Sequence, residues 1–203
     1  MTRTTKKAAA KLNTAIAGAV KRFAPPESLT VDEWADKHRR LSPESSAEAG
    51  PWRTKRTPYL EEPMRAFTDP KVHKIVMVAA SQVGKSELEL NIIGYIIDQD
   101  PGSILYVHPT IDDARKFSRL RVAPMIRDSK PLKGKGHDVK AKDSGNTILQ
   151  KSFPGGMLTL TGSNSASALA STPARYIIGD ERDRWATSAG TEGDPWALAE
   201  ARQ

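Results

Sequence analysis

An α/β fold, with a mainly parallel central sheet flanked by helices, is what this sequence predicts. Three observations carry that prediction. Short apolar runs at Ile75–Val78, Ser103–Val107 and Arg175–Gly179 alternate with longer stretches of helical apolar spacing. Their order is strand, helix, strand, helix, hairpin, strand, which suits parallel neighbours joined by helical crossovers. The first run ends in a turn, Gly84-Lys85-Ser86, that opens directly into an apolar helix. Strand, glycine turn and helix is the setting in which backbone N–H groups cradle a phosphate.

The elements follow in order. Residues 4–21 are rich in Ala and Lys, with Leu12, Ile16 and Val20 four apart. That is one thin apolar stripe on a helix, suited to a weakly docked or partner-bound basic arm, and Pro25-Pro26 ends it. Thr30 with Glu33 is a capping-box signature for a short second helix, with Trp34 and Ala35 facing inward. Residues 42–51 are small, polar and breaker-rich, a linker or loop. A helix is expected from about Tyr59 to Phe67. Ile75-Val76-Met77-Val78 reads as a fully buried first strand. Leu88, Leu90, Ile92, Ile93, Ile96 and Ile97 then make a helix apolar over most of its surface.

Asp100-Pro101-Gly102 turns the chain into a second buried strand, Ser103–Val107. Thr110 with Asp113 starts a helix that runs towards Val122 and is interrupted or ended by Pro124. Residues 128–146 are Lys- and Gly-rich, a mobile loop. Thr147–Lys151 and Met157–Thr161 read as a hairpin, Ile148 and Leu149 against Leu158 and Leu160. Arg175–Gly179 is the last strand, and a helix beginning at Pro195 is expected to run into the end of the sequence. The division expected is residues 1–49, a basic arm, short helix and linker, and residues 50–203, a P-loop nucleotide-hydrolase domain.

The turn between the first strand and its helix carries the chemistry. Backbone N–H groups of Ser81, Gln82, Val83 and Gly84, with the first turn of the helix, point at an anion, and the helix dipole adds positive character. Gly84 allows close approach of backbone to phosphate. Lys85 supplies a point charge to the β- and γ-phosphates of ATP, and Ser86 a hydroxyl to Mg²⁺. The full eight-residue signature wants glycine at position 79, where this chain has Ala79. A Mg²⁺ site also needs a carboxylate at the end of a neighbouring strand. Ile177-Ile178-Gly179-Asp180-Glu181 supplies it: Asp180 for the metal, Glu181 as general base for the attacking water. Gly179 is an imperfect fit, since a buried β-residue is usual there.

The net charge of +7 is unevenly spread. Residues 1–22 hold six Lys/Arg and no acid, and residues 115–151 hold eleven Lys/Arg against three Asp, so the remainder is acidic. Two basic blocks on an acidic body point to polyanion contact, or to a solvated tail and loop. The absence of cysteine excludes disulfides, thiol catalysis and Cys-ligated zinc. No apolar run is long enough to span a membrane, and no secretory signal is expected. His38, His73, His108 and His137 lack metal-ligand spacing and are read as non-catalytic.

Taken together, several stretches resemble the ATPase half of the terminase large subunit of tailed bacteriophages, the lambda-type branch. They are Gly50-Pro51-Trp52-Arg53-Thr54 with Arg56-Thr57-Pro58-Tyr59, Ala80 to Ser86, Ile104 to Thr110 with Ala114 and Phe117, Pro173 to Glu181 with Asp183-Arg184, and Glu192-Gly193-Asp194-Pro195. The resemblance implies an ATP-driven motor that moves double-stranded DNA into a procapsid. It implies a homo-oligomeric ring on the portal, guided by a small terminase subunit, in the cytoplasm of an infected bacterial host. It gives Lys85 and Ser86 to phosphate and Mg²⁺, Asp180 to the metal, Glu181 to catalysis, and the region from Trp52 to Tyr59 to the adenine side.

Three departures stand against the resemblance. Gln82 occupies the loop position where many terminases carry arginine, so a finger from a neighbouring subunit is expected, with Arg119, Arg121 and Arg127 as candidates. The family's coupling strand is expected beyond Gln203. No acidic cluster for a two-metal nuclease is present, so no nuclease activity is expected from this stretch. Two alternatives remain: another nucleic-acid P-loop motor of helicase type, and a nucleotide-binding assembly module without turnover.

Overall fold

The computed structural model describes residues 27–44, 46, 48–135 and 147–203. The basic arm expected before Pro25-Pro26, and residues 136–146 of the Lys/Gly-rich stretch, lie outside the described residues.

Helix α1 (Val31–His38) begins at the expected capping box, with the Thr30 N–H donating to Glu33 Oε2 at 2.9 Å. Val31, Trp34 and Ala35 are fully buried. A two-stranded antiparallel ribbon, β1 (Arg40–Leu41) with β2 (Gly50–Pro51), brackets the polar stretch read as a linker. A 3₁₀ turn at Pro58–Leu60 leads into α2 (Glu61–Thr68), and the long helix α3 spans Lys85–Asp98. Helix α1 packs directly on α3. A Cβ at Gly94 would stand 2.3 Å from Trp34 Cη2, so the glycine makes room for the indole. The Trp34 Nε1–H donates to Asp98 Oδ2 at 2.9 Å and fixes the ring.

Strand β3 (Ile104–His108) is buried along its whole length. It is followed by α4 (Ile111–Phe117), a π-helical turn (Ser118–Val122) and α5 (Ala123–Asp128). The hairpin is β4 (Gln150–Phe153) and β5 (Gly156–Gly162), then come α6 (Ala166–Ser171), β6 (Tyr176–Gly179) and α7 (Pro195–Glu200). The four strands form one sheet in the order β4-β5-β3-β6. Strand β3 runs parallel to both β5 and β6, and only β4 is antiparallel. The strand pleat divides the core. Ile104 and Tyr106 face the cluster built with α1 and α3, while Leu105 and Val107 face a smaller one with Leu169, Ala174 and Ala199. The mixed α/β architecture with a mainly parallel sheet is therefore the one expected.

The expected first strand is corrected. From Val72 to Ala80 the chain has no regular secondary structure, and Val76 and Val78 are 77% and 96% exposed. Only Met77 packs partly against the core. A strand exists through the ladder it shares with a neighbour, and among the described residues none pairs with this run. β-Branched composition signals readiness for a ladder, not its presence.

Smaller differences have local causes. Pro124 interrupts the helix, as expected, without ending it. Its missing N–H and its ring clash with the carbonyl four residues back, and the chain meets them with the wider π turn over Ser118–Val122 before continuing as α5. In the hairpin, the Leu149 carbonyl accepts from the Leu160 N–H at 2.8 Å, but Ile148 is 40% exposed and does not face Leu158. Helix α7 ends at Glu200, before the end of the sequence.

Candidate nucleotide site

Gly84 is the N-cap of α3 and sits at φ +85°, a left-handed conformation that glycine adopts without strain. A Cβ there would also stand 3.3 Å from Leu60 Cδ1, so the 3₁₀ turn abuts the loop. The N–H groups of Lys85 and Ser86 lie in the first helical turn, where no intrahelical carbonyl faces them. Ser81 and Gln82 are exposed, and Val83, Gly84, Lys85 and Ser86 are partly buried. The Lys85 amine folds back over its own loop, donating to the carbonyls of Ala80 at 2.8 Å and Ala79 at 3.2 Å.

Strand β6 delivers the two acids. The Asp180 N–H donates to the Val107 carbonyl at 3.0 Å, extending the β3–β6 ladder one residue. The Asp180 carbonyl accepts from Trp185 Nε1–H at 2.8 Å. Burial and then the neighbouring Glu181 raise the Asp180 carboxyl above the usual range, while the Lys85 ammonium works in the opposite direction. Lys85 thus lies within electrostatic reach of Asp180. Glu181 is ion-paired with Arg184. It sits at φ +47°, and Gln82 at φ +61°; these are the only non-glycine residues at positive φ among the described residues. Backbone strain of this kind concentrates at functional sites, and here it falls on both halves of the expected site.

Asp180 and Glu181 line a cleft of ≈ 240 Å³ with His108, Phe117, Leu120 and Arg121. Residues Ser81 to Ser86 do not line it. A larger cleft of ≈ 460 Å³ lies against α2, lined by Glu61, Glu62, Arg65 and Asp69, and contains none of the expected site residues.

Gly179, the imperfect position, has a steric cause. A Cβ would come within 2.9 Å of Trp196 and 3.0 Å of Trp185, whose rings close over the strand end. Trp52 is buried and its Nε1–H donates to Thr54 Oγ1 at 3.0 Å, so it offers no face for stacking, whereas Tyr59 is 55% exposed beside the 3₁₀ turn.

Several neighbours of the site were not legible in the sequence. Glu89, one turn beyond Lys85, accepts from the fully buried Tyr106 hydroxyl at 2.6 Å. Burial, then the charge of Asp180, pushes the Glu89 carboxyl up to about 8. His108 is buried with Nε2 unpartnered and Nδ1 3.8 Å from Asp180 Oδ2. Burial lowers its imidazole to about 4, so it is neutral at pH 7. Glu87, in the first turn of α3, lies between two guanidinium groups: Arg39 at 2.9 Å and Arg121 at 3.0 Å. Of the three arginines considered as fingers, Arg127 is held by Glu44 and Asp128, Arg119 reaches back to the Arg115 carbonyl, and Arg121 alone lines the cleft.

Residues 46–203 match the family model described as phage terminase large subunit gpA, ATPase domain. The chain is 31% identical to the terminase large subunit of Escherichia phage lambda over 131 residues, 64% of this chain and 20% of that protein. It is 26% identical to the terminase large subunit of Enterobacteria phage P21 over 178 residues, 87% of this chain and 27% of that protein. The chain thus spans about a quarter of the length of these relatives or less. No solved structure matches. With most of its length covered by that model, the chain belongs to the phage terminase large subunit gpA ATPase-domain family.

Proposed function

We propose that this chain is the ATP-hydrolysing module of a viral DNA-packaging motor. The observation that carries the reading is spatial. Glu89, one turn beyond Lys85 on α3, accepts from Tyr106 of β3 at 2.6 Å, and the parallel neighbour β6 ends beside it at Asp180, whose N–H donates to the Val107 carbonyl at 3.0 Å, so the start of α3 and the two acids lie at the same end of the sheet.

Backbone N–H groups of Ser81, Gln82, Val83 and Gly84 take the phosphates, and the Lys85 amine exchanges two loop carbonyls for β- and γ-phosphate oxygens. Ser86 and Asp180 would hold Mg²⁺. The donor set fits that ion, since a hydroxyl and a carboxylate are both oxygen ligands. Mg²⁺ characteristically takes one or two protein oxygens and fills its shell with water and phosphate. When bound, it supplies charge neutralisation at the phosphates. Glu181 orients the attacking water and accepts its proton. The Tyr59 ring is the adenine-side contact. Double-stranded DNA, a small terminase subunit, the portal of a procapsid and further copies in a ring are the proposed partners, in the host cytoplasm. No helix among the described residues is long and apolar enough to cross a membrane.

The test is phosphate release by the whole chain with Mg-ATP, with and without duplex DNA, beside Lys85→Ala and Glu181→Gln. Each variant is expected to lose turnover, with Glu181→Gln retaining nucleotide binding. Equal rates in all three proteins would remove the enzyme assignment. Binding without turnover is a second reading, favoured by one feature: the Glu181 carboxylate is occupied by Arg184. Nucleotide binding in wild type with no phosphate release would select it. Duplex unwinding by the wild-type chain would select a helicase-type motor instead.

A further inference from the structure

We propose that His108 is the positioning residue of Asp180: its Nδ1–H holds that carboxylate in the orientation that receives Mg²⁺. The proposal rests on the ATPase reading above and deepens it. Three observations carry it. His108 Nδ1 lies 3.8 Å from Asp180 Oδ2, just outside hydrogen-bond distance, and both residues line the same cleft. The imidazole is locked in place: its side chain is 2% exposed, and its ring packs against Tyr106 and Phe117, with centroids 4.3 and 4.9 Å away. Its Nε2 is buried without a partner.

The orphaned Nε2 decides which nitrogen carries the proton. A buried N–H without an acceptor costs more than a buried lone pair without a donor. In the neutral imidazole the proton therefore sits on Nδ1, the nitrogen on the Asp180 side. The strands bring the two side chains together. Val107 and Gly179 are partners in the parallel β3–β6 ladder, so the next residues, His108 and Asp180, stand side by side where the sheet ends. The His108 carbonyl accepts from the Ser163 N–H at 2.8 Å, and the Asp180 N–H donates to the Val107 carbonyl at 3.0 Å, so neither backbone is free to drift. Asp113 also lines the cleft, but its Oδ2 already accepts from the Thr110 hydroxyl at 2.7 Å. A small rotation of the Asp180 carboxylate closes the remaining gap, and hydrogen bonds at such sites commonly tighten only when the ligand binds. With one oxygen held by His108, the other is presented to the metal, as when an outer donor orients a ligating carboxylate.

The test uses the whole chain with Mn²⁺ as a magnetic stand-in for Mg²⁺ and an ATP analogue whose β–γ bridge cannot be cleaved. Protein-bound Mn²⁺ is read by electron paramagnetic resonance, and affinity for the analogue is measured separately in EDTA. His108→Phe keeps a ring of similar shape but has no donor. It is expected to weaken Mn²⁺ binding about 10- to 100-fold while binding the analogue in EDTA as wild type does. His108→Asn places an amide nitrogen where Nδ1 stands and is expected to recover most of the metal affinity. Should the phenylalanine variant not fold, His108→Gln takes its place, since its amide lies one bond beyond the Nδ1 position and is expected to lose the metal as well. Wild-type Mn²⁺ affinity in the phenylalanine or glutamine variant overturns the proposal. So does an equal loss in the asparagine variant, or a matching loss of the analogue in EDTA, since either shows that the ring acts only by packing. The ATPase reading fails separately, and takes this proposal with it, if the wild-type chain binds no analogue at all.

Discussion

Glu89→Gln should stabilise the protein at neutral and alkaline pH, and the size of the effect follows from the burial of that carboxyl. Glu89 has an ordinary value of 4.5 that the fold raises to about 8. Between those values the folded chain keeps a proton that the unfolded chain has released, so stability falls as pH rises from 4.5 towards 8 and levels off beyond. His108 acts in the other direction in a lower window. Its imidazole is lowered from 6.5 to about 4, so it costs stability only as pH falls below 6.5. The interval from 6.5 to 8 therefore separates Glu89 from His108. It covers about 1.5 units at ~1.4 kcal/mol each, a ceiling of ~2 kcal/mol. Glutamine keeps an oxygen to accept from the Tyr106 hydroxyl and cannot ionise. Urea midpoints of wild type and Glu89→Gln in EDTA, at pH 6.5, 7.2 and 8, should diverge, with the wild type declining by about 1–2 kcal/mol and the variant staying level. Parallel curves over that interval would refute the assignment of a proton to Glu89.

Three further outcomes follow from the same structure. Arg39→Ala removes a buried partner of Glu87 and should cost about 3 kcal/mol in chemical denaturation, whereas Arg127→Ala breaks only exposed pairs with Glu44 and Asp128 and should cost less than about 1 kcal/mol. Gly94→Ala drives a methyl into the Trp34 ring and should destabilise by about 1–3 kcal/mol, with Trp34 fluorescence shifted in the folded state. Glu181→Asn relieves a left-handed glutamate with a residue that tolerates that conformation. It should raise stability by up to ~1 kcal/mol while phosphate release is lost, and a loss of both would show that Glu181 holds the turn together.

What the sequence disclosed was what is decided locally. The capping pairs at Thr30 and Thr110, the hairpin around Pro154-Gly155, the left-handed need at Gly84 and the strand end at Asp180 each depend on neighbours a few residues away. The run Ile75–Val78 is the counter-example. Its composition is that of a buried strand, yet ladder pairing is a long-range property, and no described residue supplies the partner. Gly179 is the opposite case: it looked wrong for its strand because the two indoles that demand it lie six and seventeen residues on in the chain, where no periodicity reports them.

The charges inside α3 show most sharply why the site was only half legible. Glu87 and Glu89 are two residues apart and identical in type. Glu87 turns to Arg39 and Arg121, which lie 48 and 34 residues away, and becomes the shared anion of two guanidinium groups. Glu89 turns to Tyr106, 17 residues away, where burial and the charge of Asp180 favour its neutral form. Two carboxylates on one helix thus reach opposite electrostatic states through packing alone, the arrangement by which one scaffold holds a fixed charge and a proton donor side by side. If Glu89 binds its proton, an acidic pair at Asp180 and Glu181 can stand close to it without a third negative charge in contact. If Glu89 were ionised in the folded chain, three carboxylates would crowd one strand end with Lys85 and Arg184 opposing them, and the fold would be less stable near neutral pH.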